Sequence, residues 1–285
     1  MPTLSEHRIK VTYTGGLADQ NTLPGYDGAT SIDGVTRALH IVTHAYMTGE
    51  VTSRATALRN ATILLKPARQ GSFVYELIVL IEAYPATTGA VGAIGGQMFY
   101  DFVKTAFRRA TGSLDAEPET TSLQRLYERK DPPPLKVPPV DLDELSETLE
   151  GSLQAAHRPI GSEGTIQRIS IGTPRNELVS FDDNTKGWVN TRDAATGIEW
   201  LRGNVTRYNS LSRNARVFVD QLQRVVPVRP DADFAAGDLP FLTWSLHGSN
   251  IGSPNKLDMR VRRVTAASGK VKRLLLVGCQ RASET

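Results

Sequence analysis

Apolar and polar positions alternate along Arg8-Ile9-Lys10-Val11-Thr12-Tyr13-Thr14 and stop at Gly15-Gly16, the period of a half-buried strand. After a polar loop the period changes. Ser31 or Asp33 can cap a helix reaching about Thr48, with Gly49 as its stop. Val35, Ala38, Leu39, Val42, Ala45 and Tyr46 share one face of that helix. Residues 61–65 and 72–81 predict a hairpin around a turn at 66–71. Its second strand is apolar on both faces apart from Glu76, which predicts a central strand covered on both sides. Residues 86–111 read as one long helix ended by Gly112. Its second half sets Phe99, Phe102, Val103 and Phe107 against Asp101, Lys104, Arg108 and Arg109. Its first half, 88–96, is rich in glycine, and each glycine costs ~1 kcal/mol relative to alanine in a helix interior. Such residues imply close approach of another backbone.

The chain then becomes charged and proline-rich over 113–140, around Asp131-Pro132-Pro133-Pro134-Leu135-Lys136-Val137-Pro138-Pro139. This predicts a partly extended linker. Asp141 with Glu144 forms a capping box for a helix to about Ala156. Short strands are predicted beyond it at 166–171, 177–182, 187–190, 198–208, 215–221, 224–228, 241–246, 257–264 and 271–278. The expected fold class is α+β, with N-terminal helices packed on a small sheet and a C-terminal small, mostly-β barrel or sandwich. The expected division is an α+β domain at 1–112, the linker at 113–140, and a capped helix followed by a mostly-β domain at 141–285.

Three short segments carry a resemblance. Leu23-Pro24-Gly25-Tyr26-Asp27-Gly28-Ala29-Thr30-Ser31-Ile32, the hairpin turn Gly71-Ser72-Phe73 and His157-Arg158-Pro159-Ile160-Gly161 together resemble an uncharacterised family of bacterial two-part proteins. The resemblance implies no activity, cofactor or catalytic residue.

Composition narrows the function. The chain has 285 residues, 40% hydrophobic and 22% charged, and can bury a core without staples. One cysteine excludes an intrachain disulfide and suits a reducing cytoplasm. No basic stretch leads into an apolar run at the N-terminus, and no run of ~18 apolar residues exists, so neither a secretory signal nor a membrane span is expected. Charge is uneven. Residues 1–150 hold 14 Lys and Arg against 18 Asp and Glu, whereas residues 151–285 hold 19 against 12.

Catalytic and metal constellations do not assemble. His40 and His44 have metal-ligand spacing, but Ile41 stands where a zinc protease needs glutamate, so both are read as a polar helix face. The glycines from Gly89 to Gly95 follow a strand and open a helix but match neither phosphate-loop spacing, and tight packing is expected instead. Cys279 lies in an apolar strand and reads as an inert buried thiol. No cofactor, metal or catalytic residue is expected. The leading expectation is a non-catalytic binding protein. Its basic C-terminal β domain contacts nucleic acid or another acidic partner, and its N-terminal domain mediates protein contacts, including a homo-oligomer. Arg260, Arg262, Lys270 and Lys272 flank a predicted turn and could line one face of a hairpin against phosphate, with Tyr208 and Trp244 as stacking surfaces. Two alternatives are a lipid-contacting effector using helix 86–111, with membrane partners not favoured, and an enzyme of unrecognised type.

Overall fold

The computed structural model describes residues 3–53, 58, 60–69, 73–83, 90–113, 140–161, 166–190, 195–211, 213–253, 255–266 and 269–283. The predicted linker therefore lies almost entirely outside the described residues. The chain forms two compact units, Met1–Val189 and Asn190–Thr285.

The first unit is built on an antiparallel sheet of five strands in the order β2-β3-β1-β4-β5. The strands are β1 (Thr3–Thr14), β2 (Ala61–Arg69), β3 (Val74–Ala83), β4 (Arg168–Gly172) and β5 (Glu177–Phe181). Among the described residues four α-helices accompany it: α1 (Gly25–Thr48), α2 (Ala90–Ala110), α3 (Leu142–Ala156) and the short α4 (Asp183–Val189). The period-2 pattern of β1 sends Ile9, Val11 and Tyr13 into one core with Leu39 and Val42 of α1, Phe99 and Phe102 of α2, and Leu149 and Leu153 of α3.

Strand β3 is interior, as its apolar run predicts. Its alternate residues Tyr75, Leu77, Val79 and Ile81 join the core, and on the other face Ile78, flanked by Leu64 and Arg8, is buried outside that cluster. Two expectations change here. Helix α1 starts at Gly25, upstream of the predicted Ser31 or Asp33 cap. The polar, glycine-containing start resembles a loop because small residues are needed there. A Cβ on Gly34 would stand 2.4 Å from the backbone nitrogen of Ala156, so α1 and α3 meet backbone to backbone. Residues 187–190, predicted as strand, fall in and beside α4.

The division of the chain also differs from 1–112, 113–140 and 141–285. Asp141 does cap α3, accepting from the amides of Asp143 and Glu144. That helix packs in the same core as α1 and α2, and β4 pairs with β1 through Lys10↔Gly172 to Thr14↔Arg168. The proline-rich stretch thus joins two parts of one unit. Period and charge cannot reveal this, because strand pairing over ~160 residues leaves no local signature.

The second unit is a closed barrel, β10-β8-β7-β6-β9. Its strands are β6 (Glu199–Tyr208), β7 (Ala215–Val219), β8 (Arg224–Pro230), β9 (Leu257–Thr265) and β10 (Val271–Arg281). All neighbours are antiparallel except β8 and β10, which are parallel. Alternation sends Leu201, Val205, Val217, Val219, Val226, Val228, Met259, Val261 and Leu274 inward. Residues 241–246, predicted as strand, belong to helix α5 (Leu239–Asn250), opened by Pro240. The fully buried positions of α5 are Leu242, Ser245 and Gly248, at spacings of three, while Leu239, Phe241, Trp244 and Leu246 pack partly buried around them, so its apolar residues do not mark a single helical face. The Ser245 hydroxyl accepts from the Val205 amide at 3.1 Å, and Ser249 donates to the Val205 carbonyl at 2.8 Å. Helix α5 thereby satisfies both backbone groups of β6 where its pairing with β7 slips, between Val205 and Arg207.

Candidate functional site

The predicted four-cation ladder does not form. Strands β9 and β10 do make the hairpin, but Arg262 pairs with Leu275 and Arg260 with Gly278, several positions from Lys270 and Lys272 at the turn end. Arg262 is engaged by two aspartates, Asp231 at 2.7 Å and Asp233 at 3.1 Å. Lys272 is buried, and Lys270 is exposed beside the turn. The reason is a bulge between Val271 and Arg273, which shifts the register that a simple hairpin would have. Tyr208 is partly buried against the barrel core. Trp244 is too, and the Arg281 guanidinium sits 4.6 Å from its ring centre. Of the six predicted residues, only Arg260 and Lys270 are exposed.

The barrel wall gathers other cations instead. Arg216 and Phe218 point outward from β7, between the buried Ala215, Val217 and Val219. Arg207 of β6 stands directly opposite Arg216. Pro227 is the partner of Arg216 on β8, two residues before the exposed Arg229. Arg213, exposed and with φ 59°, stands in the β6–β7 connection. The wall over β6, β7 and β8 thus carries arginines on adjacent strands around one aromatic side chain. Directly opposed like charges are destabilising by a few tenths of a kcal/mol or more. The sequence contains these residues in plain view; the signal that selects them is cross-strand register, which no single strand displays.

The second unit concentrates the basic charge more than the sequence halves suggest. Residues 190–285 hold 15 Lys and Arg against 8 Asp and Glu, and residues 1–189 hold 18 against 22. Five of those eight acids are bound to cations of the same barrel: Asp258 to Arg202, Asp220 to Lys256, Asp231 and Asp233 to Arg262, and Glu199 to Arg263. Among the described residues, exposed Arg207, Arg213 and Arg260 are matched with no carboxylate.

On the outer wall where β6 meets β9, Trp200 lies opposite Arg260, and Arg202 lies opposite Asp258. Trp200 is 54% exposed. It borders an open depression of about 480 Å³ with Arg202, Asp220, Gln221 and Asp258 around it.

The first unit holds polar groups that are buried or paired within it. His157 is fully buried and stacked on Phe181 at 4.3 Å. Burial lowers its pKa to about 4. Its Nδ1 donates to the Leu153 carbonyl at 2.6 Å, so its Nε2 accepts from the Thr185 hydroxyl at 3.0 Å. The next residue, Arg158, binds Asp27 at 2.6 Å and lies over the Tyr26 ring at 4.5 Å, so two of the three segments that carry the resemblance meet in the fold. His40 and His44 turn Nδ1 to the carbonyls of Thr36 and Glu50. Among the described residues no group of three or more His, Cys, Asp or Glu could hold a metal. Burial, with Asp238 nearby, pushes the Cys279 thiol up to about 12. The side chains of the glycine-rich segment lie outside the described residues; among the described residues no helix is long and apolar enough to cross a membrane.

The match to known proteins follows the architecture. The DUF7946 family, a domain of unknown function, covers residues 9–190, and the chain belongs to it. That match ends where the first unit ends, so the barrel lies beyond the family domain. No curated protein and no solved structure matches the chain.

Proposed function

We propose that this is a non-catalytic binding protein whose basic barrel contacts nucleic acid across the β6–β7–β8 wall. The observation that carries the reading is the direct opposition of Arg207 and Arg216, with Arg229 and Arg213 close by and Phe218 beside them. A wall that carries arginines on adjacent strands presents positive charge along a line, and a phosphate backbone is a repeating anion that can follow it. Phe218 adds an aromatic surface of the kind single-strand binders use. Topology supports the same reading by analogy. A three-stranded meander, a helix and then a hairpin that closes the barrel through a parallel pair is the order of the oligonucleotide-binding barrel, which uses its second and third strands as the binding face. In this chain those strands are β7 and β8.

In this reading the first unit supplies protein contacts, for which Leu4, Leu64 and Leu65 offer exposed apolar surface, and the setting is cytoplasmic. A filter-binding titration with a single-stranded oligonucleotide at several salt concentrations tests it. Affinity should fall linearly on a log–log plot, and R207A/R216A should reduce the slope by roughly 0.7 for each phosphate that is no longer neutralised. Absence of binding at low salt overturns the reading.

A further inference from the structure

The depression beside Trp200 is separate from the β7–β8 wall and has a different chemistry. Strand β6 faces the barrel interior at Leu201 and Gly203, so Trp200 and Arg202 point outward on either side of Leu201. Across the pair, Arg260 and Asp258 point the same way. Arg202 is held by a two-point fork on Asp258, Nε to Oδ1 at 2.7 Å and an Nη to Oδ2 at 3.1 Å, which fixes the guanidinium plane. The β7–β8 turn closes the far side. Its Asp220 amide donates to the Arg202 carbonyl at 2.8 Å, and the Gln221 side-chain oxygen accepts from the Arg202 amide at 3.0 Å. The result is an open recess with an aromatic wall, hydrogen-bonding side chains around it and, beside the aromatic, an arginine that among the described residues is matched with no carboxylate.

We infer that this recess takes one unpaired base of a single-stranded nucleic acid, stacked on Trp200, with Arg260 on the adjoining phosphate; the inference rests on the proposed nucleic-acid function. Three features select that ligand. The indole is more than half exposed although tryptophan is a costly residue to leave in water. Its cross-strand partner is a cation, which places positive charge beside the ring. The recess is open and walled by an exposed ring, and the face of a base can lie on that ring only when it is free of its stacking neighbours, as in a single strand. A duplex offers its backbone to the arginine wall but hides its base faces.

The test uses the full chain, an oligothymidylate and a duplex of the same length. The oligothymidylate should quench tryptophan fluorescence, and the quench should disappear in W200F, which keeps Trp188 and Trp244. In filter binding W200A should lose roughly tenfold or more for the single strand, the range of one stacked base, while W200F should lose less. Neither variant should change affinity for the duplex, and circular dichroism should match the parent because Trp200 lies outside the barrel core. If W200A binds the single strand as tightly as the parent, or the duplex quenches equally, the recess assignment is overturned while salt-dependent binding leaves the broader reading standing. If neither nucleic acid binds at low salt, both fall together.

Discussion

His157 shows how much one side chain can report about its surroundings. It is buried, saturated by the Leu153 carbonyl and the Thr185 hydroxyl, and stacked on Phe181. Its pKa falls from 6.5 to about 4 through burial, and His7, packed on Phe99, falls likewise to about 4 for the same reason. Between those values the unfolded chain holds protons that the folded chain refuses. Stability is therefore full above pH ~6.5 and is lost as pH falls toward 4, by on the order of 3 kcal/mol for each histidine. Chemical denaturation from pH 7 to pH 4 should show this slope, and H157N should flatten it while lowering stability at pH 7. A pH-independent parent would contradict the buried neutral imidazole. The histidine itself is visible in the sequence, but its partners are four and twenty-eight residues away. Only the nearer one follows from helix geometry.

At the scale of elements, period reveals most of what tertiary contact does not override. Strand β1, the hairpin β2–β3, the capped helix α3 and the strands of the barrel all follow from alternation, caps and turns. Two of the misreadings, helix α5 and the start of α1, share one cause: small residues at interfaces. Helix α5 hides because Ser245 and Gly248 interrupt the buried stripe that Leu242 begins. Helix α1 hides its first two turns because Gly28, Ser31 and Gly34 face inward. Ser31 donates to the Ala156 carbonyl at 2.5 Å and accepts from the Tyr13 hydroxyl at 2.9 Å, which pins α1 to α3 and to β1. Since a side chain on Gly34 would strike the α3 backbone, G34V should cost several kcal/mol, in the range of overpacking, and G34A less. Thermal melting checks this. Equal melting temperatures for G34V and the parent would mean that the two helices are not in backbone contact. The candidate site is less legible than the elements, because Arg207, Arg216 and Trp200 acquire meaning only from which strand lies beside which.

For the whole molecule, the two units carry different commitments. The family domain ends at residue 190, and all of the excess positive charge lies in the barrel beyond it. Residues 190–285 have their own core, from Leu201 and Val205 to Leu276 and Cys279. Made alone, this segment should give a cooperative unfolding transition and bind oligothymidylate within a few-fold of the full chain. Residues 1–189 should not bind it. Binding by the first unit would place the nucleic-acid contact outside the barrel.

The position of the proline-rich stretch has a further consequence. The described residues on either side of it, at the close of α2 and the start of α3, belong to one unit, so it does not connect the two units. A tether sets the effective concentration of one module near another, and its length tunes avidity. A loop closed on a single body feels only the entropy of bringing its ends together, and doubling its length costs ~0.6 kcal/mol. Lengthening or shortening the stretch should therefore adjust the stability of the first unit slightly and leave any oligothymidylate affinity of the barrel unchanged.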